Sequence, residues 1–222
     1  MSQSVRSARP VDAPAAAPRG AVVLLALLLA SLVARLVFTI WEGPFDGTID
    51  VADAARAGYW QMNLYVGGPG YIVSFVAAAV FLVLLGRHSV LACVSALLVS
   101  LGGIVFGLVI TAEALPFVLA VDPAVLPAAE GAELVGSLNG RLDLLLPTIL
   151  GSTAVIALGG ILGLVAALRA GTTPRWFVPA AQVAVVASLL LPVVGLTIPG
   201  YLLELAALAE TGWFGTAVTR RS

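Results

Sequence analysis

Long apolar runs separated by short polar turns set the layout of this chain. Five runs, at about residues 21–40, 69–85, 89–112, 144–168 and 177–198, carry almost no charge. A helix rises about 1.5 Å per residue, so a run of about twenty residues crosses a hydrocarbon layer of about 30 Å. Unbroken apolar runs, not alternating positions, predict helices over strands, because lipid offers backbone groups no partner outside helices and closed barrels. The expected fold is all-α: a polytopic transmembrane helix bundle of five spans, with six as the alternative. Residues 1–20, rich in Ala, Pro, Ser and Arg, are expected to be a disordered basic tail. Competing with this, a basic start followed by an apolar run also describes a signal peptide, but apolarity continues past Arg35 with no small-residue cleavage site.

The turns differ in character. Gly86–Ser89, with Arg87 and His88, is so short that the second and third runs must form an antiparallel hairpin. Residues 42–63 form an acidic loop ending in the aromatic belt Tyr59, Trp60 and Tyr65, and residues 122–141 form a second acidic loop with a short surface helix expected near 128–138. Pro116 is expected to weaken the third helix, and Pro192 to kink the fifth. Residues 201–222 are apolar but hold Glu204 and Glu210, which predicts an amphipathic helix on the outer surface or part of a sixth span. The hairpins of runs two and three and of runs four and five share one course, as a parallel repeat would, although any chain of alternating hairpins has that layout.

Small residues recur at helical spacing on the third run (Ala92, Ala96, Ser100, Gly103, Gly107, Thr111) and on the fourth (Gly151, Gly159, Gly163). Such stripes let helix backbones approach closely, so these two helices are the expected closest pair, with Gly103, Gly107, Gly159 and Gly163 as packing positions and homo-oligomerisation as a second use.

Composition agrees with the pattern: of 222 residues 60% are hydrophobic and 10% charged, against about 25% charged in soluble domains. The lipid bilayer is the expected partner. A net charge of −1 without a basic block excludes nucleic acid as one. Cys93 is the single cysteine, so no intramolecular disulfide forms, and it reads as a small buried hydrophobe. No lysine occurs, a bias expected of a GC-rich bacterial genome. Arginines concentrate in the tail and in the turns at Arg87, Arg169 and Arg175, which places the amino terminus in the cytoplasm, the acidic loops outside, and the chain in the plasma membrane.

Arg35 is the sharpest candidate for chemistry, because an arginine inside a span is costly unless partnered or hydrated. Glu113 lies at a similar depth on the third run, so the two form a candidate ion pair or substrate site; alternatively Arg35 snorkels to the interface and Glu113 ends a helix. No metal site, cofactor site or catalytic motif is legible, since His88 stands alone in a turn and no nucleophile elbow, phosphate loop or zinc motif is present. The sequence therefore points to a non-enzymatic membrane protein, structural or a partner subunit. The alternative is a small carrier or permease for an apolar, lipidic or small-molecule substrate, built around Arg35, Glu113 and the Pro192 kink.

Overall fold

The computed structural model describes residues 19–43, 48–173 and 199–221. Within them the chain is helical, with no strand. Helix α1 is Arg19–Glu42, and two short helices follow, α2 (Val51–Ala54) and α3 (Tyr59–Gln61). A π-helical turn, Met62–Gly67, carries α3 into α4 (Gly68–Leu85); then come α5 (Val90–Val121), α6 (Ala128–Asn139), α7 (Leu146–Arg169) and α8 (Gly200–Arg221). Among the described residues four helices are long and apolar enough to cross a membrane: Gly20–Glu42, Tyr59–Leu85, Val90–Val121 and Leu146–Arg169. The expected fifth span, its Pro192 kink and the tail through Pro18 lie outside the described residues.

Two boundaries differ from expectation. The second apolar helix begins ten residues earlier than Pro69, because Tyr59–Leu85 is continuous through the π turn. Helix α5 runs through Pro116 to Val121. By helical rise Pro116 stands about 39 Å from Val90, past the thickness of a hydrocarbon layer, and both Pro116 and Ala112 are exposed. The carbonyl of Ala112 that the proline leaves without a donor therefore faces outward where water can satisfy it, and the helix continues.

The helices pack as a row, α8 on α1, α1 on α4, α4 on α5 and α5 on α7, with the broadest contact between α5 and α7. Two faces of α5 divide the work. Gly103 meets Phe75, and Gly107 lies 3.0 Å, from the position a Cβ would take, from the Gly68 carbonyl, so these two glycines admit α4. The α7 seam uses a different face: Gly159 closes on Leu98 and Val99, Gly163 on Ser95 and Leu82, and Gly102 on Ile156 and the Ser152 carbonyl. The stripe expected to join α5 to α7 thus serves α4. The Ser95 hydroxyl donates to the Gly159 carbonyl at 2.6 Å, a bond available only because Gly159 carries no side chain to hold the backbones apart. Between α4 and α5, Arg87 and His88 turn the chain with φ of 50° and 57°, in the left-handed region, and Ser89 caps α5 by accepting from the Ala92 amide. Cys93, expected to be buried, is exposed on the outward side of α5.

Charge separates the two ends. Arg19, Arg87, Arg169 and the final residues of α8 lie at one end, tied together by the cluster of Leu28, Phe81, Leu85 and Ala167 and by a bond from the Thr172 hydroxyl to the Leu85 carbonyl. At the opposite, acidic end α5 outruns the other helices and carries a small cap. Ile49, Ala54, Phe117, Ala120 and Val135 form the core of that cap, joining the loop before α2 and helix α6 to the stalk of α5. Asn139 fastens it by donating to the Ile49 carbonyl at 2.8 Å and accepting from the Ile49 amide at 3.0 Å, which satisfies both backbone groups of one residue.

Helix α8 runs antiparallel to α1. Gly200 sits against Thr39, Glu204 meets Arg35, Ala207 and Leu208 join the cluster holding Leu28 and Leu32, and Gly215 closes on Leu25. Ascending α8 therefore descends α1 along most of its length. The segment expected as a surface tail or part of a sixth span is a helix packed lengthwise on the first apolar helix.

Candidate functional site

Arg35 occupies a buried stripe of α1, following Ala21, Leu25, Leu28 and Leu32 and preceding Phe38 at three- and four-residue steps. That position turns its side chain into the bundle, where it is 15% exposed. The facing surface of the π turn and α4 is cut back by small residues, with Gly67 under the Phe38 ring and Gly70 beside the Arg35 backbone. On α8, Gly200, Glu204, Leu208 and Gly215 form the matching stripe.

The carboxylate partner of Arg35 is Glu204, in place of the expected Glu113. Arg35 Nη2 and Nε both donate to the same oxygen, Glu204 Oε1, at 2.5 and 3.2 Å. Nη1 donates to the Ser74 hydroxyl at 3.1 Å, and that hydroxyl donates on to the Tyr71 carbonyl at 2.9 Å. The guanidinium carbon also lies 4.5 Å from the Tyr71 ring centre and 5.0 Å from that of Phe75. Both rings meet Phe106 of α5 edge-on, and Phe38 meets Tyr71 edge-on, so the aromatic walls come from three helices. Desolvated cation–π contacts are worth about 2 kcal/mol or more, which offsets much of the cost of holding an arginine away from water. The side chains of Arg35 and Glu204 are 15% and 7% exposed, so the pair is shielded from screening.

The two members are held unequally. Arg35 has a hydroxyl and two aromatic faces besides its carboxylate. Glu204 has Arg35 alone: its second oxygen, Oε2, is buried and has no hydrogen-bond partner among the described residues. Glu204 was read in the sequence as part of a surface helix or a sixth span; the signal that could have marked it is its helical spacing from Gly200 and Leu208.

Glu113 lies at the acidic end, close enough to Glu42 and Tyr59 to interact with them electrostatically. Arg56 organises that end: it donates to the Trp41 carbonyl at 2.9 Å, pairs with Asp53, and lies over the Trp41 ring. The pairs Asp53–Arg56 and Arg141–Asp143 are solvent-exposed and add little stability. His88 stays in its turn, and no group of three or more His, Cys, Asp or Glu side chains converges among the described residues.

The class that these features define is an all-helical protein with four helices fit to cross a membrane and a buried arginine–glutamate pair tying its last helix to its first. No known protein family, curated protein or solved structure is similar enough to match the chain.

Proposed function

We propose that this chain is a non-enzymatic, multi-pass plasma-membrane subunit that offers its acidic cap to a protein partner outside the cytoplasm. The observation that carries this reading is the cap itself. Helix α5 is 32 residues long, about 48 Å by helical rise, and the length beyond the hydrocarbon layer supports an ordered unit rather than a loose loop. Its outward side presents Asp50, Glu130, Glu133 and Asp143 beside the exposed apolar residues Val125 and Leu134, a combination suited to a partner of basic and apolar surface. Large apolar side chains on the outer faces of α1, α5 and α7 suit a lipid surrounding.

In this reading the bundle has six spans, the four apolar helices together with residues 177–198 and α8. Arg19, Arg87, Arg169 and the end of α8 then all face the cytoplasm, in keeping with the distribution of positive charge across membranes. A cysteine placed at Ser222, in a Cys93→Ser background, is expected to react with an impermeant maleimide only after cells are permeabilised. Labelling in intact cells would establish five spans and an external carboxyl terminus.

The carrier alternative draws on a site around Arg35, Glu113 and the Pro192 kink; Arg35 pairs with Glu204, and Pro192 lies outside the described residues. The deciding experiment is mild detergent extraction through a tag at the amino terminus, followed by intact-complex mass measurement. The expected result is a second polypeptide in fixed stoichiometry that is lost when Glu130 and Glu133 are both changed to Lys. A lone chain or homo-oligomer retaining a specific lipid or small molecule would overturn the subunit reading in favour of a carrier.

A further inference from the structure

We propose that the outward face of α5 seats a transmembrane helix of the partner subunit, one that continues beyond the bilayer and carries arginine or lysine at the height of Asp122. The inference rests on the subunit reading and names the surface on which that partner lies. Helix α5 gives one side to α4 and another to α7, and its third side is bare. There Val90, Leu97, Leu101, Leu108, Leu115 and Leu119 are all exposed, at steps of four and seven residues, so they form one ridge along the helix. A ridge of that spacing fits the groove of a second long helix.

Lipid covers only the lower part of it. From Val90 to Leu119 the ridge is about 44 Å long by helical rise, against about 30 Å of hydrocarbon. Tilt does not bring the remainder inside, because the neighbouring helix ends sooner. Helix α7 lies antiparallel to α5 with Gly159 against Val99; Leu146, its first residue, precedes Gly159 by thirteen positions, and Ala112 follows Val99 by thirteen, so the two stand level. Leu115 and Leu119 rise above that level, 44% and 43% exposed, on a different side of α5 from Phe117 and Ala120, which hold the cap. Leucines so placed in water favour a protein cover. The Ala112 carbonyl, which Pro116 leaves without a donor, lies on the same ridge and offers that cover an acceptor.

Charge selects the occupant. Asp122 follows Leu119 by three residues on the same face, and neither α5 nor the turn after it through Leu126 contains an arginine, lysine or histidine. Two copies of this chain meeting on the ridge about a twofold axis would set Asp122 against Asp122, and like charges at an interface are unfavourable. A partner bearing arginine or lysine there is attracted.

The test places the photo-reactive amino acid benzoylphenylalanine at Leu108, Leu115 or Leu119 of the full chain in its native membrane, with Val23, exposed on α1, as the control. All three ridge positions are expected to join one foreign polypeptide and Val23 to join lipid only. The joined peptide, sequenced by mass spectrometry, should be an apolar segment of spanning length with arginine or lysine at its outer end. Asp122→Asn keeps the acceptor for the Ala124 amide and removes the charge, and is expected to lower the yield at Leu119 about tenfold. Adducts at Leu115 and Leu119 with lipid alone, with a second copy or with this chain's own residues 177–198 overturn the proposal, as do a joined segment lacking a basic residue and a yield indifferent to Asp122→Asn. A second polypeptide still held in fixed stoichiometry then confines the failure to this face, whereas a chain extracted alone overturns the subunit reading as well.

Discussion

Arg35→Leu is expected to destabilise the bundle by about 3–5 kcal/mol, since it leaves Glu204 buried with neither oxygen partnered. The effect should be far larger than that of Glu204→Gln, which leaves Arg35 with Ser74 and two aromatic rings and gives Glu204 a neutral side chain. Replacing both residues by Leu should recover most of the loss, because the cost lies in the orphaned charge more than in the missing attraction. Reversible unfolding in bicelles, run as a double-mutant cycle, measures all three. A loss below about 1 kcal/mol for Arg35→Leu would show that water reaches Glu204 and that the pair is not enclosed.

Gly159→Leu should open the α5–α7 seam. A Cβ there would lie 2.8 Å from Val99 Cγ2, 2.9 Å from Leu98 Cβ and 2.9 Å from the Val99 backbone nitrogen. A side chain can rotate away, but a backbone nitrogen within a helix cannot, so the two axes must part. Overpacking of this kind costs about 1–3 kcal/mol. The Ser95–Gly159 hydrogen bond is lost with it, adding about 0.6 kcal/mol by the average for such bonds in membranes. Gly160→Leu is the control, because nothing approaches a Cβ at that position; it should change stability by no more than about 0.5 kcal/mol. Equal losses from the two substitutions, in the same unfolding assay, would show that closure of the seam on Gly159 is not what is being measured.

The candidate site was half legible in the sequence. Arg35 stands out because a charge within an apolar run is rare, but its inward orientation is not legible, because the run is apolar on every side of the helix. Its partner is not legible by depth alone. Glu113 and Glu204 lie at comparable distances from an apolar boundary, and only the antiparallel course of α8 places Glu204 on the facing stripe. The glycines illustrate the same limit. Spacing identifies Gly103 and Gly107 as contact positions, but a stripe does not name the helix it receives, and on α5 a rotation of one residue separates the α4 face from the α7 face.

Chemistry and periodicity along the chain are therefore sufficient for the class of object: long apolar helices joined by an arginine-bearing turn and by acidic loops, with a lone arginine that must find a partner. These properties follow from each segment's own solubility in lipid or water, and so they can be read locally. The tertiary structure alone decides that α8 returns along α1, that Glu204 and not Glu113 answers Arg35, that α5 passes through Pro116 to carry a cap, and which helix each small-residue face admits. Each of those depends on free energies shared between segments far apart in sequence, where several pairings satisfy the same local pattern and the one that buries its polar groups with partners prevails.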